Sequence, residues 1–145
     1  MSRLLVVANE TVEGEALHDA IRARAAGRGS DVLVVAPALN TRLRHWMSDS
    51  DHARRAAEAR LVACLARLDR AHVHARGWIG DADPMVAIDD TLRLYAADEI
   101  VIATHPEERS NWLAHDLVRR ARARFELPVV HVVVDRVHHE EYVAA

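Results

Sequence analysis

The chain is poor in several residue types, and each shortage excludes a class of chemistry. Lysine is absent, because all 19 basic residues are arginine, so neither a Schiff-base lysine nor a phosphate-binding lysine is available. The single cysteine, Cys64, excludes an internal disulfide and a cysteine-based zinc cluster. The sequence also lacks an H-E-x-x-H motif, a nucleophile elbow and a P-loop lysine motif. It therefore predicts no catalytic residues.

Long apolar runs and a strong net charge are missing too. The run that follows Met1-Ser2-Arg3 is too short for a signal peptide or a membrane span. The net charge of -3 creates no strong field that would favour nucleic acid or an acidic membrane. At 145 residues the chain has the size of one domain, which we assign to residues 1–145. We expect a cytoplasmic protein that binds neither membranes nor nucleic acid.

Short apolar runs alternate with helical patterns along the whole chain. Four of the runs are continuous, which is typical of parallel strands covered on both faces, whereas residues 71–78 alternate and suit an edge strand. Between them lie stripes at helical spacing, and Asp83-Pro84 reads as a cap and first position of the third helix. The continuous runs are 4–8, 32–36, 100–103 and 129–134. The pattern predicts a doubly wound (Rossmann-like) α/β domain with helices on both faces.

Ten histidines raise the question of a metal site. His72 and His74 would share one face of the alternating strand, and His138 and His139 are adjacent near the carboxyl terminus. Either pair could bind a metal ion together with a further ligand, but the simpler interpretation is that both pairs face solvent. We predict no metal site.

Two segments in the second half of the chain follow one another, GDADPMVAI (80–88) and ADEIVI (97–102). They resemble the universal stress protein family, the first a helix start of that family and the second the strand that follows it. The resemblance spans nearly the whole chain in element order. It implies a five-stranded parallel sheet of strand order 3-2-1-4-5, usually in a dimer. The family contains members that bind ATP and members that do not.

ATP-binding members carry the signature G-x-x-G, nine residues, then G followed by Ser or Thr. On this sequence the three glycine positions fall on Ala103, Pro106 and Asp116, and the hydroxyl position falls on Leu117. The spacing is intact while every signature residue is changed. The resemblance therefore implies a member whose ATP-binding signature has been replaced.

The replacements work against phosphate binding. Glycines let several backbone N–H groups approach an anion, whereas Pro106 has no N–H to donate. A carboxylate at Asp116, ~4 Å from a phosphate at an effective dielectric of ~20, would cost about 4 kcal/mol, or roughly a thousandfold in affinity. We expect no cofactor, and ATP or AMP binding in the family's manner is disfavoured.

A rebuilt pocket for a nucleotide or a small anion is the alternative. Thr104 and His105 lie at the carboxyl end of a central strand, where ligands of open α/β sheets collect, and Arg109 could hold an anion there. The resemblance adds five positions to the candidate pocket: Asn9, Thr11, Val35, Gly80 and Asp81. For these five the simpler interpretation is structural. Asn9 and Thr11 would lie in a turn at the end of a strand, Val35 in the core, and Gly80 and Asp81 in the turn before the third helix.

The last predicted strand would be an edge of the sheet. A flat apolar edge is a liability unless something pairs with it. Antiparallel pairing with the same strand of a second copy would give a two-fold homodimer, and the competing possibility is coverage by the chain's own tail, residues 136–145. The strand consists of Val129, Val130, His131, Val132, Val133 and Val134.

Three functions from different classes follow. The first, which the replaced signature favours, is a non-catalytic stress-response regulator that acts as a dimer with protein partners. The second is the nucleotide or small-anion binding module with a rebuilt pocket. The third is a nucleotide hydrolase that uses His105, which the absence of a paired nucleophile and base disfavours.

Overall fold

The structure, a computed structural model, describes residues 3–8, 15–25, 30–39, 47–104, 108–135 and 140–144. Within these residues, strands and helices alternate until the end of the chain. The elements are β1 (Arg3–Val7), α1 (Glu15–Ala25), β2 (Asp31–Leu39), α2 (Met47–Arg70), β3 (Ala75–Asp81), α3 (Pro84–Leu94), β4 (Glu99–Thr104), α4 (Glu108–Arg124), β5 (Val129–Asp135) and β6 (Glu140–Ala144).

All described strands lie in one sheet with the order β3-β2-β1-β4-β5-β6. The first five strands pair in parallel, so the predicted five-stranded sheet of order 3-2-1-4-5 is confirmed. The sixth strand, β6, is antiparallel to β5 and was not predicted. The chain is therefore an α/β fold with one added edge strand.

Helices cover both faces of the sheet, as predicted. On one face α1 and α2 pack against alternate strand residues such as Val6, Val34 and Val101. On the other face α3 and α4 pack against Leu5 and its neighbours in the same alternation. The central strands are buried on both sides, which explains why their sequences are continuously apolar.

The prediction that β5 is an edge strand is wrong. β6 pairs with it in the register His131↔Ala144 and Val133↔Tyr142, so the chain's own tail takes the position proposed for a second copy. The polar start Glu140-Glu141 hid this strand in the sequence, because an edge strand with charged residues lacks a continuous apolar run. A homodimer through Val129–Val134 has no open edge of β5 to use.

The third strand begins later than its pattern indicated. α2 ends in a turn at residues 71–72, and His72 has a φ of 60°, so the two histidines do not share a strand face. His74 precedes β3 and lies 3.4 Å from a carboxylate oxygen of Asp31. Among the described residues there is no group of three or more side chains that could hold a metal ion; His138 and His139 lie outside them.

The predictions for the second and third helices had different outcomes. In the second helix the helical spacing predicts one apolar face made of Leu61, Val62, Leu65 and Leu68. The structure buries Leu61 and Leu68 in α2 but leaves Val62 67% exposed, so Val62 does not belong to that face. In α3 the predicted start is confirmed, because Asp83 is the N-cap, accepts from the backbone N–H of Met85 at 2.9 Å, and is followed by Pro84. None of the described helices is both long and apolar enough to span a bilayer.

Candidate functional site

The carboxyl ends of β1 and β4 form the topological switch point of the sheet. The two strands are parallel neighbours, with Val7 opposite Ile102. From β1 the chain continues through α1 on one face, and from β4 it continues through α4 on the other. The connections thus diverge between the two strands, at the position where open α/β sheets have their ligand-binding crevice.

Thr104 is one of the two residues that sequence analysis favoured most as site residues, and it lies within the described part of the chain. It is the last residue of β4 and is partly exposed. Its Oγ1 lies 2.6 Å from Nε2 of His131, which is only 2% exposed. The two residues sit on adjacent parallel strands, and alternation directs both toward the face that α3 and α4 cover. A buried imidazole therefore orients the hydroxyl at the crevice.

The connection that follows Thr104 differs from a phosphate-binding loop. α4 begins at Glu108, and its backbone is helical through Asp116 and Leu117 to Arg124. Asp116 is eight residues beyond the helix start, or about 12 Å along the axis at 1.5 Å per residue. N–H groups beyond the first turn of a helix are used within it. The third glycine position and the hydroxyl position of the signature therefore present no free backbone N–H to an anion.

The Asp116 carboxylate is also engaged by its own helix. It forms an ion pair with Arg119 one turn later and lies 3.9 Å from Arg120. The carboxylate that the sequence comparison placed close to a bound phosphate is thus already paired with an arginine of α4. The helical backbone, rather than this carboxylate, argues against phosphate binding at these positions.

Gly80 and Asp81 serve the packing and capping of α3. A Cβ at Gly80 would lie 2.8 Å from Cγ1 of Val35 and 3.1 Å from Cβ of Ala87, so only glycine fits between β2 and α3. Asp81 Oδ1 accepts from the backbone N–H of Asp83 at 2.8 Å, which fixes the turn into the helix. The structural interpretation of these two residues accounts for their contacts.

Val35 lies in the core. Its exposed fraction is 0%, and it packs with the residues beneath α3. This agrees with the simpler interpretation of Val35 as a core residue, and its place in a ligand pocket stays a prediction.

The remaining predicted pocket residues are only partly covered by the described structure. Asn9, Thr11 and His105 lie outside the described residues. Arg109 is the second residue of α4, which places its backbone in the first helical turn. Of the predicted set, the structure brings Val35 and Gly80 together, while Thr104 lies two strands from β2 and pairs with β5.

His131 was not among the predicted site residues. Sequence analysis placed it only in the last predicted strand, and in the structure its buried side chain contacts Thr104. A signal was available in the sequence, because polar residues on two adjacent parallel strands lie on the same face of the sheet when their alternation agrees.

The opposite end of the sheet carries a dense polar network. Tyr95, the C-cap of α3, donates its hydroxyl to the backbone carbonyl of Asp31 at 2.9 Å. The guanidinium carbons of Arg3 and Arg76 lie 5.6 and 5.9 Å from its ring centroid. Burial, followed by the negative charge of Asp31, raises the pKa of Tyr95 to about 12. Tyr95 thus ties together residues of β1, β2 and β3.

Backbone and carboxylate contacts complete this network. The N–H of Arg3 donates to Asp98 Oδ2 at 2.8 Å, and the N–H of Asp98 donates to the carbonyl of Arg3 at 2.7 Å. Arg76 pairs with Asp31 at 3.0 Å, and Arg24 of α1 pairs with Glu99 of β4. These contacts link strands to each other and to the helices, and they have a structural role.

Comparison with known proteins gives a likeness of fold only. No protein-family model matches the chain, and no curated protein matches it. Among solved structures it is similar to GalB, the 4-carboxy-2-hydroxymuconate hydratase of Pseudomonas putida KT2440, at 17% identity and a TM-score of 0.50. The match covers 92% of this chain and 65% of the hydratase, so the chain spans just under two thirds of that protein's length. At this identity the chain shares an α/β architecture with the hydratase.

Proposed function

We propose that this chain is a non-catalytic regulatory protein of the universal stress type, which works in the cytoplasm and does not bind ATP through the family's signature turn. The observation that carries the proposal is the helical backbone of α4 through Asp116 and Leu117. A phosphate-binding loop must present free N–H groups, and these positions have none to present.

The composition of the turn agrees with this proposal. Residues 103–117 contain no glycine, and Pro106 removes a further backbone donor. Among the described residues, the crevice offers a hydroxyl held by a histidine, Thr104 with His131, and no paired carboxylate base. A regulator that acts through its surface needs no more than this. A dimer remains part of the proposal, but it requires a surface other than the edge of β5, which β6 covers.

The second candidate is a binding module for a nucleotide or a small anion, and one observation favours it. The Thr104 hydroxyl is oriented at the switch point by a buried partner, as a ligand-contacting hydroxyl would be. Such a pocket would draw on Asn9, His105 and Arg109, and it would need donors other than the signature turn.

Titration with Mg-ATP, AMP and cyclic nucleotides, followed by thermal shift and calorimetry, tests the first candidate against the second. We expect no saturable change in the melting temperature. A ligand at ~100 times its dissociation constant would add about 2.7 kcal/mol to the free energy of unfolding, which such a scan detects easily.

The Thr104→Val variant is the matched control for this test. A saturable nucleotide response of the wild-type protein that disappears in Thr104→Val would replace the first candidate with the second. Steady release of phosphate from ATP, abolished in a His105→Ala variant, would contradict the non-catalytic proposal and favour the hydrolase.

A further inference from the structure

The edge of the sheet formed by β3 differs from the edge formed by β6. β3 is the terminal strand on its side, and among the described strands it pairs with β2 alone. An open edge presents a row of N–H and C=O groups, which proteins usually cover or protect with charged residues. β6 begins with two glutamates, whereas residues 77–79 in the middle of β3 carry no charge. The centre of the β3 edge therefore lacks this protection against pairing.

The hydrogen bonds to β2 determine which backbone groups of β3 face outward. The N–H of Val32 donates to the carbonyl of His74 at 3.2 Å, and Val32 is opposite Ala75 in the parallel register. Because the backbone groups of a strand alternate between its two edges, His74, Arg76 and Trp78 direct theirs to β2. The residues of β3 that direct both N–H and C=O away from the sheet are Ala75, Gly77 and Ile79.

The backbone of β3 is accessible at its centre. Gly77 is partly exposed although it has no side chain, and a Cβ there would lie 2.8 Å from Cδ1 of Leu61 in α2. Since α2 fills that face of the sheet, the exposure of Gly77 does not come from it. Trp78, which alternation places on the opposite face together with Arg76, is 37% exposed. The open edge is thus flanked by a large aromatic side chain.

A second copy of β3 complements this edge in the antiparallel direction. With a two-fold axis at Gly77, this residue is opposite Gly77 of the second copy, and Ala75 is opposite Ile79. These are hydrogen-bonded pairs, because all three residues direct their backbone groups outward. Each pair exchanges two N–H···O bonds, so the register would form about six hydrogen bonds in total.

The side chains on the α3 face match in the same register. Arg76 would be opposite Trp78 of the second copy, in a non-hydrogen-bonded pair whose Cα atoms lie only ~4.5 Å apart. Arginine and tryptophan form favourable cation–π pairs at close range. Asp31 pairs with Arg76 at 3.0 Å in its own sheet, which offsets the charge of the two arginines that the axis brings near each other. The edge therefore complements itself in backbone and in side chains.

We propose that the open edge of β3 is a homodimer interface, in which two copies pair antiparallel across Gly77 and form one continuous sheet. This inference deepens the proposed function, because the dimer in that proposal requires a surface other than the edge of β5. It rests on the proposed function only for the dimer, and it makes no use of the residues at the switch point.

The experiment measures the mass in solution by light scattering over a concentration series, for the wild-type protein and three variants. Trp78→Lys places a positive charge opposite Arg76 of the second copy. Ala75→Pro replaces an outward N–H with a proline ring and removes no hydrogen bond to β2. The control is Val86→Lys, the same substitution at a 40% exposed position that lines the cavity between α3 and α4.

We expect the wild-type protein to reach twice the chain mass of 16.2 kDa. The dissociation constant of the dimer should rise about a hundredfold in Trp78→Lys and about tenfold in Ala75→Pro, because a two-fold axis makes each substitution act twice. The control variant should keep the wild-type dissociation constant. Equal weakening of the dimer by Val86→Lys would overturn the proposal.

Amide hydrogen exchange of the wild-type protein locates the interface without any substitution. The N–H groups of Ala75, Gly77 and Ile79 should be protected at concentrations that give the dimer and should exchange freely in dilute solution. A wild-type monomer, a dimer that both edge variants keep, or a dimer in which these amides exchange freely would overturn the proposal. The first result would also remove the dimer from the proposed function, whereas the other two would leave that function with a dimer through another surface.

Discussion

The two ends of the sheet use their polar groups differently. At the amino end, residues of β1, β2 and β3 and the residue before β4 are joined by the Tyr95 hydroxyl, by the Arg3–Asp98 hydrogen bonds and by the Arg76–Asp31 ion pair. At the carboxyl end, the described polar contacts include the Thr104–His131 pair and the Asp81–Asp83 turn. The amino-end contacts thus hold several strands together, whereas the Thr104–His131 pair orients one hydroxyl at the switch point.

This difference separates stability from function within one sheet. Contacts that cross several strands fix their relative positions, so mutations at the amino end should change the free energy of unfolding most. Ligands of open α/β sheets bind at the carboxyl end, so mutations there should change stability less. Five measurements break or sharpen this comparison.

Replacement of Tyr95 by alanine should have the largest effect. The side chain is 5% exposed, and its loss removes a packed aromatic ring, a hydroxyl donor to Asp31 and the contacts with Arg3 and Arg76. We expect the free energy of unfolding in urea to fall by about 3–5 kcal/mol. The neighbouring Leu94→Ala, at a position 82% exposed, is the control and should change it by less than about 0.5 kcal/mol. Equal effects of the two variants would remove the amino-end network as a source of stability.

Alkaline pH should weaken the same network. Tyr95 has a folded pKa of about 12 against 10.0 for an ordinary tyrosine, so its contribution is complete below pH 10 and is lost as pH rises toward 12. The loss is on the order of 2–3 kcal/mol, because the unfolded chain releases the proton first. Urea unfolding at pH 9 and pH 11.5 measures it, and Tyr95→Phe should lack the difference.

Phenolate absorbance gives an independent measurement of that pKa. The chain has two tyrosines, so Tyr142 alone titrates in Tyr95→Phe. The wild-type protein should show an additional transition near pH 12 that this variant lacks. A Tyr95 transition near pH 10 would contradict the burial that the structure gives it.

Much of this architecture could be predicted from the sequence, because periodicity reports burial. Continuous apolar runs identified β1, β2, β4 and β5, and Asp83-Pro84 identified the start of α3. β6 was not predicted, because it is an edge strand that begins with charged residues. The late start of β3 was not predicted either, because no residue pattern indicates the positive φ of His72.

The sites were harder to predict than the fold, because they depend on contacts between distant residues. Thr104 was identified at the end of its strand, but its partner His131 is 27 positions away and emerges only from the register of β4 and β5. By contrast, the apolar stripe that starts near Ser110 and runs to Phe125 places Asp116 within a helix, and the structure confirms this.

The carboxyl end should respond more weakly than the amino end to the loss of its polar pair. Thr104→Val keeps the shape of the side chain and removes the hydroxyl from Nε2 of His131. We expect a loss of about 1 kcal/mol in the free energy of unfolding, the usual net value of one hydrogen bond. A double-mutant cycle with His131→Leu measures the coupling between the two side chains. A coupling as large as the effect of Tyr95→Ala would show that the two ends of the sheet do not differ.

The smallest effect concerns Asp116, where a substitution decides between two explanations for the proposed absence of ATP binding. If its negative charge repelled phosphate, Asp116→Asn would recover part of the roughly thousandfold penalty expected at close range. The structure places the carboxylate in a surface ion pair with Arg119, about 12 Å along α4 from the helix start. We therefore expect Asp116→Asn to leave ATP binding undetectable by calorimetry and to change the free energy of unfolding by less than about 0.5 kcal/mol, the usual value of an exposed pair of this spacing. ATP binding gained by this single change would mean that the residues from Pro106 to Leu117 can form a loop around phosphate. The difference in function between the carboxyl end and the amino end of the sheet would then depend on the charge of one residue.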